Sequence, residues 1–475
     1  MVFSSLLFVF LFLTPNLIIY YMVKDKYRNA VLLVFSLVFY GWSSPKYLAL
    51  LLVVVAVSFW FAIWVSKAQE RGKSGKLWMI LGCIVMLAIL GVFKYTGFFL
   101  ENIQFWTGFP KEVPEIVLPI GISFYTFQVL SYVVDVYRKD APVQKKYWKL
   151  LLYAGLFHQC VAGPIVRYQT VADEIEHRKV NNADLAEGIR RFSIGLAKKA
   201  VLANSCATIA DSLLPTSMQG LSAGSSAGLW LGMLAYMLQI YLDFAAYSDM
   251  AIGMGRMVGF HYLENFNYPY IAKSIQDFWR RWHISLSTFF RDYVYIPMGG
   301  SRVNTWKWLR NTVVVWFLTG MWHGASWNYI LWGLYFCVFL IFEKFVLRKI
   351  NLPAVIGHIY ALIVVYFGWV LFKFEDIQLL GGVLAGMFGV GTSSWVQMNA
   401  TTMLLNNCFF LPVAIVACTP LGRWLRDKIY QKAEEKGKYP VLMRLVDVFV
   451  PILLLAISVL ALVGNSYNPF LYFQF

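Results

Sequence analysis

Apolar runs close to 20 residues long recur from one end of this chain to the other, and each is long enough to cross a hydrocarbon core of about 30 Å. The clear ones cover residues 3–22, 47–66, 77–100, 116–136, 226–242, 327–346, 354–373, 402–420 and 445–463. Shorter runs at 28–42, 150–166, 192–214 and 312–322 read as tilted spans, re-entrant pieces or buried amphipathic helices. Charged residues make up only 14% of the 475 positions, against about 25% in soluble proteins. The expected fold is all-α: a polytopic membrane protein of roughly 11–13 helices, spanning or re-entrant.

The net charge of +16 invites a nucleic-acid reading, but its distribution argues against one. Lys and Arg collect in the short loops Lys24–Arg28, Lys67–Lys76, Arg138–Lys149, Glu343–Lys349 and Arg423–Arg444, while an intervening connection such as Glu101–Glu115 is acidic or neutral. That alternation follows the positive-inside rule, which places the basic loops in the cytoplasm and both chain ends outside. Attraction to anionic lipid is a secondary consequence. The first apolar run has no basic segment before it and no small-residue cleavage site after it, so residues 3–22 read as an uncleaved span.

Six scattered cysteines form no Cys-x-x-Cys pair and read as small buried hydrophobes. No fixed-period repeat or low-complexity tract appears, and no soluble domain can be cut out. One membrane-embedded domain over residues 1–475 is the expected organisation.

The polar segment Tyr241–Trp332 stands apart from this background, with three histidines, five acids and eight Lys or Arg. Charges buried in hydrocarbon are costly, so such a concentration implies a water-filled cavity or a reaction site. Placed on a helix over Gln276–Tyr293, the side chains of Gln276, Arg280, His283, Ser287 and Arg291 share one face. Phe278, Trp282, Leu286 and Phe289 fall on the other. This pattern fits a cavity-lining helix with His283 at its centre, or an interfacial helix with a solvated basic face.

His323 lies in Trp322-His323-Gly324, between apolar runs. Gly320 and Gly324 would let another helix or a ligand come close. A histidine in such surroundings is either a satisfied core residue or a catalytic base, since an imidazole with a pKa near neutrality can take a proton from a hydroxyl nucleophile. Asp243 and Asp249, six residues apart, lie on different helix faces, and either could orient a histidine or pair with Arg280 or Arg281. Asp277, Trp322 and Asn328 complete the residues expected to line or position a substrate cavity. Asp135–Arg138 and Gly163–Arg167 are further polar islands of the same kind. The glycines of Gly253–Gly259 lack a strand–turn–helix context and suit helix packing. The histidines show no metal-ligand spacing.

These residues also carry a resemblance. Val2–Ser5, Leu118–Tyr125, Ala162-Gly-Pro164, Tyr241–Phe244, Tyr247–Gly253, Asp277–Thr288, Arg291-Asp-Tyr293, Trp322-His-Gly324 and the tail Pro469–Phe475 resemble the membrane-bound O-acyltransferase family, and within it the branch that acetylates bacterial exopolysaccharides such as alginate. The match runs the length of the chain. Its one departure, Phe289-Phe290 where the family commonly has Trp, is conservative.

The resemblance implies a ring of helices around a thinned centre, in the bacterial inner membrane. It gives the position of His323 the catalytic role and that of His283 the role of second essential histidine. It further implies acetyl-CoA as the cytoplasmic donor, with no permanently bound cofactor, and an exported acceptor protein of serine-esterase-like fold that passes the acetyl group to polysaccharide hydroxyls. Two alternatives stand beside it: D-alanyl transfer to teichoic acid from a carrier protein, and a polysaccharide or lipid transporter without chemistry, although no inverted repeat is visible.

Overall fold

The computed structural model describes residues 2–43, 45–160, 163–350, 352–435 and 439–464. Ala162 and the tail Pro469–Phe475, both part of the resemblance, lie outside the described residues. Regular structure among the described residues is helical throughout. Six helices are long and apolar enough to cross a membrane: Pro45–Glu70, Lys76–Thr107, Ser226–Met257, Trp327–Lys349, Ala354–Lys373 and Val441–Gly464. The chain is an all-α polytopic membrane protein.

Three of the expected runs take other forms. The first contains a shorter apolar helix, Leu7–Met22. The run at 116–136 becomes helical only at Ile122, after Gly121 at φ 73°. Pro114 and Pro119 lie in the stretch before it, and proline both lacks an N–H and holds its predecessor out of the helical region. The run at 402–420 is broken into Met398–Asn406 and Phe410–Ala417, bent by 66°. At the break, the Asn407 side chain donates to the Met403 carbonyl at 2.9 Å, a local bond that competes with continuation of the helix.

Two compact units make up the chain. The first comprises Met1–Phe192 and Tyr247–Glu264. In it α1 (Pro45–Glu70), α2 (Lys76–Thr107) and α3 (Ile122–Arg138) pack on one another. Helix α3 is buried almost all round, which is the condition of a helix at the centre of its unit. Phe3, Phe8, Phe39 and Phe157 form an aromatic cluster nearby in sequence-distant contact. Charged side chains gather around α4 (Tyr168–His177) and α5 (Asn182–Ala197). Arg191 pairs with Asp249 at 2.9 Å and with Glu264, and His261 reaches Glu174 at 2.7 Å and Asp184 at 3.3 Å.

The second unit comprises Ser193–Ala246 and Asn265–Phe475. The long helix α6 (Ser226–Met257) contributes its residues 226–246 to this unit and the remainder to the first. Then follow α7 (Ile275–Arg281), α8 (Ile284–Phe290), α9 (Thr305–His323), α10 (Trp327–Phe345) and α11 (Ala354–Lys373). Asn304 caps α9 by accepting from the Lys307 amide at 2.9 Å. A short connection, Gly324–Ser326, turns the chain into α10, and the two helices pack along their length.

Their closest approach is made by glycines. A Cβ at Gly320 would sit 2.3 Å from the Tyr329 carbonyl oxygen, and one at Gly333 would sit 2.3 Å from that of Trp316. The close approach expected at Gly320 is therefore made by the next helix of the same chain. Around this contact Phe278, Trp332, Phe336 and Trp369 are fully buried in one aromatic core.

Candidate active site

The expected helix over Gln276–Tyr293 is interrupted. It ends at Arg281, Trp282 is extended, and His283 adopts a left-handed backbone at φ 42° before α8 begins. A non-glycine residue there costs about 1–3 kcal/mol and persists only where its surroundings enforce it. Asn265 is that enforcement. Its main-chain carbonyl accepts from the Ile284 amide at 2.9 Å. Its side-chain oxygen lies 3.2 Å from His283 Nδ1 and accepts from the Ser285 hydroxyl at 2.9 Å and the Ser285 amide at 3.2 Å.

The break changes what the polar face does. Gln276, Arg280 and Arg291 are exposed, whereas His283 is buried, its ring against the edge of Phe244 at 4.8 Å between centroids. Ser287 donates to the Trp279 carbonyl at 3.3 Å. Arg291 pairs with its neighbour Asp292. Asp277 pairs with Arg281 at 2.8 Å, one turn along α7.

His323 is the last residue of α9 and is 6% exposed. Its imidazole sits among Trp322, Trp332 and Phe372, with ring centroids at 5.0, 4.9 and 5.2 Å. The ring of Trp322 also lies 5.8 Å from that of His283. The two histidines expected to do chemistry thus both contact one indole, although 40 residues separate them in the chain. The indole N–H of Trp332, fully buried beside His323, finds no acceptor among the described residues.

Asn328 holds one wall of this cage in place. Its side-chain amide donates to the carbonyls of Leu371 at 3.3 Å and Phe372 at 3.2 Å, tying the start of α10 to the end of α11. Tyr329 adds a ring contact to Phe372 at 5.0 Å and donates its hydroxyl to Glu375 at 3.0 Å.

The two intramembrane aspartates separate. Asp243 forms a buried ion pair with Lys199 at 2.9 Å, each 2% exposed, immediately before the Phe244 that touches His283. Asp249 belongs to the first unit and pairs with Arg191. Both make ion pairs, but with Lys199 and Arg191 rather than with Arg280 or Arg281. Six residues on a helix turn the second carboxylate well away from the first. The islands Asp135–Arg138 and Gly163–Arg167 also belong to the first unit.

Sequence reasoning missed Asn265, Lys199 and Phe372. Lys199 had a signal, since a lysine inside an apolar run requires a partner. Asn265 lies in an ordinary-looking loop, and only the fold brings its amide to His283.

Residues 36–381 match the family model described as MBOAT, membrane-bound O-acyltransferase family. The chain is 38% identical to a probable alginate O-acetylase of Azotobacter vinelandii over the whole of both chains. It is 30% identical to a peptidoglycan O-acetyltransferase of Helicobacter pylori, over all of this chain and 98% of that one. A teichoic acid D-alanyltransferase of Bacillus subtilis is 33% identical over 54% of this chain and 67% of its own. Built around two buried histidines on one indole, this chain belongs to the membrane-bound O-acyltransferase family and is an O-acyltransferase.

Proposed function

We propose that the protein carries an acetyl group from a cytoplasmic thioester donor, acetyl-CoA, to a hydroxyl on an exported acceptor, for O-acetylation of an extracellular polysaccharide such as alginate. The observation that carries this reading is the buried His323 in its aromatic cage, in a chain that aligns end to end with a probable alginate O-acetylase. The membrane is taken to be the bacterial inner membrane. The immediate acceptor is read as a separate exported protein of serine-esterase-like fold that passes the group to the glycan, and nucleic acid has no part in the scheme.

In this mechanism the imidazole of His323 removes the proton from the acceptor hydroxyl. The oxygen attacks the thioester carbonyl, and the tetrahedral intermediate expels the thiolate. The thiolate then takes the proton from the imidazolium, leaving an ester and a free thiol. The Trp332 N–H is a buried donor available to the oxygen that gains charge, a role that such groups serve well in a water-poor site. His283, held beside Asn265, packs against the same Trp322 indole.

The test is transfer of labelled acetyl from acetyl-CoA by the full chain in bilayers to a candidate exported acceptor. Transfer supports the reading. The D-alanyl alternative draws on the partial similarity to the teichoic acid enzyme, and it would take over if only a carrier-protein thioester served as donor. Transfer from neither donor would contradict both thioesters as the acyl source.

A further inference from the structure

The helix α12 (Leu421–Glu435) comes shortly before the membrane-crossing helix Val441–Gly464. It falls in the Arg423–Arg444 segment that the basic-loop pattern assigns to the cytoplasm. It packs on that span and on Phe410–Ala417. None of its residues is fully buried, so most of its surface faces something other than this chain.

Its side chains divide into three sides. At the helical period Arg426, Tyr430 and Ala433 fall within about 60° of one another, and these are the half-buried residues of the helix. That side meets the protein. Arg423, Asp427 and Glu434 fall next to it. Asp427 pairs there with Arg426 at 2.7 Å and with Arg423 at 4.0 Å, as suits a side in water.

The third side carries Leu421, Trp424, Leu425 and Ile429, each about half exposed. Lys428 and Lys432 stand among them, both exposed, and Lys428 Nζ lies 5.4 Å from the centre of the Trp424 ring. The one acid that falls on this side is Glu435, at the very end of the helix.

Four apolar side chains call for a hydrocarbon neighbour, and two ammonium groups among them rule out a dry one. The headgroup–acyl boundary of a membrane meets both demands. Lysine lays its methylene stem along the apolar surface and keeps its ammonium at the phosphates, and an indole sits well at the same depth. The adjoining span fixes α12 close to the cytoplasmic headgroups, so the surface that covers its third side is lipid.

We infer that α12 is an anionic-lipid contact on the cytoplasmic leaflet, with Trp424, Leu425 and Ile429 at the headgroup–acyl boundary and Lys428 and Lys432 on lipid phosphates. Anionic lipid is the fit because a zwitterionic headgroup carries its own ammonium beside the phosphate, whereas an anionic one leaves the charge for the protein to balance.

The experiment follows amide hydrogen exchange over residues 421–435 of the full chain in phosphatidylcholine nanodiscs, with and without phosphatidylglycerol. Phosphatidylglycerol should raise protection there about tenfold to thirtyfold. The rise should vanish in Lys428→Gln/Lys432→Gln and persist in Arg423→Gln, whose site is on the aqueous side. Unchanged protection of the span Ala354–Lys373 reports that each variant is folded and inserted. High salt should erase the rise in the unmodified chain, a second reading that needs no variant. Equal protection in the two lipid mixtures overturns the inference. So does a rise that survives in the double variant or in high salt, or one lost equally in Arg423→Gln. Protection that follows the number of chains per disc, whatever the lipid, also overturns it, because a second copy would then cover this side.

Discussion

The imidazole of His283 lies 5.8 Å from the indole of Trp322, ring centre to ring centre, and Trp322 is the residue immediately before His323. One aromatic side chain therefore couples the geometry of two buried histidines. Displacing His283 moves a wall of the site that holds His323.

Asn265 is the residue through which that coupling can be tested. Asn265→Ala removes the oxygen beside His283 Nδ1 and the acceptor used by the Ser285 hydroxyl and amide. Losing a buried partner of this kind costs about 1–3 kcal/mol. Acetyl transfer should fall by about ten- to a hundredfold, mainly in kcat, with KM for the donor little changed. A rise in KM alone would assign Asn265 to donor binding instead.

The Lys199–Asp243 pair should behave as a buried ion pair does. Breaking it from one side, by Asp243→Asn or Lys199→Met, leaves an uncompensated charge and should cost about 3–5 kcal/mol. The double variant should recover part of that loss. Thermal unfolding of the four proteins in one detergent measures the cycle, and strictly additive losses would show that the two groups do not interact.

Gly320→Ala should destabilise the α9–α10 pair, because its methyl group would meet the Tyr329 carbonyl at 2.3 Å. Overpacking of this kind costs about 1–3 kcal/mol. Gly91→Ala in α2 is the matched control, since nothing lies within 4 Å of a Cβ there, and it should be neutral or slightly stabilising. Equal melting temperatures for the two variants would contradict the close glycine contact.

The ionic cluster of the first unit should be pH-sensitive through His261. Partial burial lowers its pKa, but hydrogen bonds to Glu174 and Asp184 outweigh this and hold it above the ordinary value of about 6.5. A raised folded-state pKa means that the stabilisation is complete below the unfolded value and is lost as pH rises through the folded one. Stability should therefore decline from about pH 6.5 upward, and His261→Gln should remove that part of the dependence. An identical pH profile in the variant would rule the contribution out.

How much of this was readable beforehand follows from which forces are local. Apolar runs report burial in lipid, so the long spans such as Pro45–Glu70 and Ala354–Lys373 were legible to within a few residues. The break at His283 was not, because the sequence there carries a helical period and the interruption is imposed by Asn265, eighteen residues away. Asp249 was misleading for a related reason. It was expected beside the same cavity as Asp243, although on a different helix face, yet the chain sends the two carboxylates into separate units. The cage of Trp332 and Phe372 around His323 depends on tertiary packing of three helices, and no local pattern encodes it.

The central claim is that His323 removes the proton from the acceptor hydroxyl. Labelled acetyl transfer from acetyl-CoA by the full chain in bilayers, unmodified against His323→Ala, tests it most directly once both proteins are shown to insert and to bind CoA. A general base contributes about 10²–10⁴-fold, so the variant should lose activity by that factor while still binding the donor. Transfer at close to the unmodified rate by an inserted His323→Ala protein would contradict it.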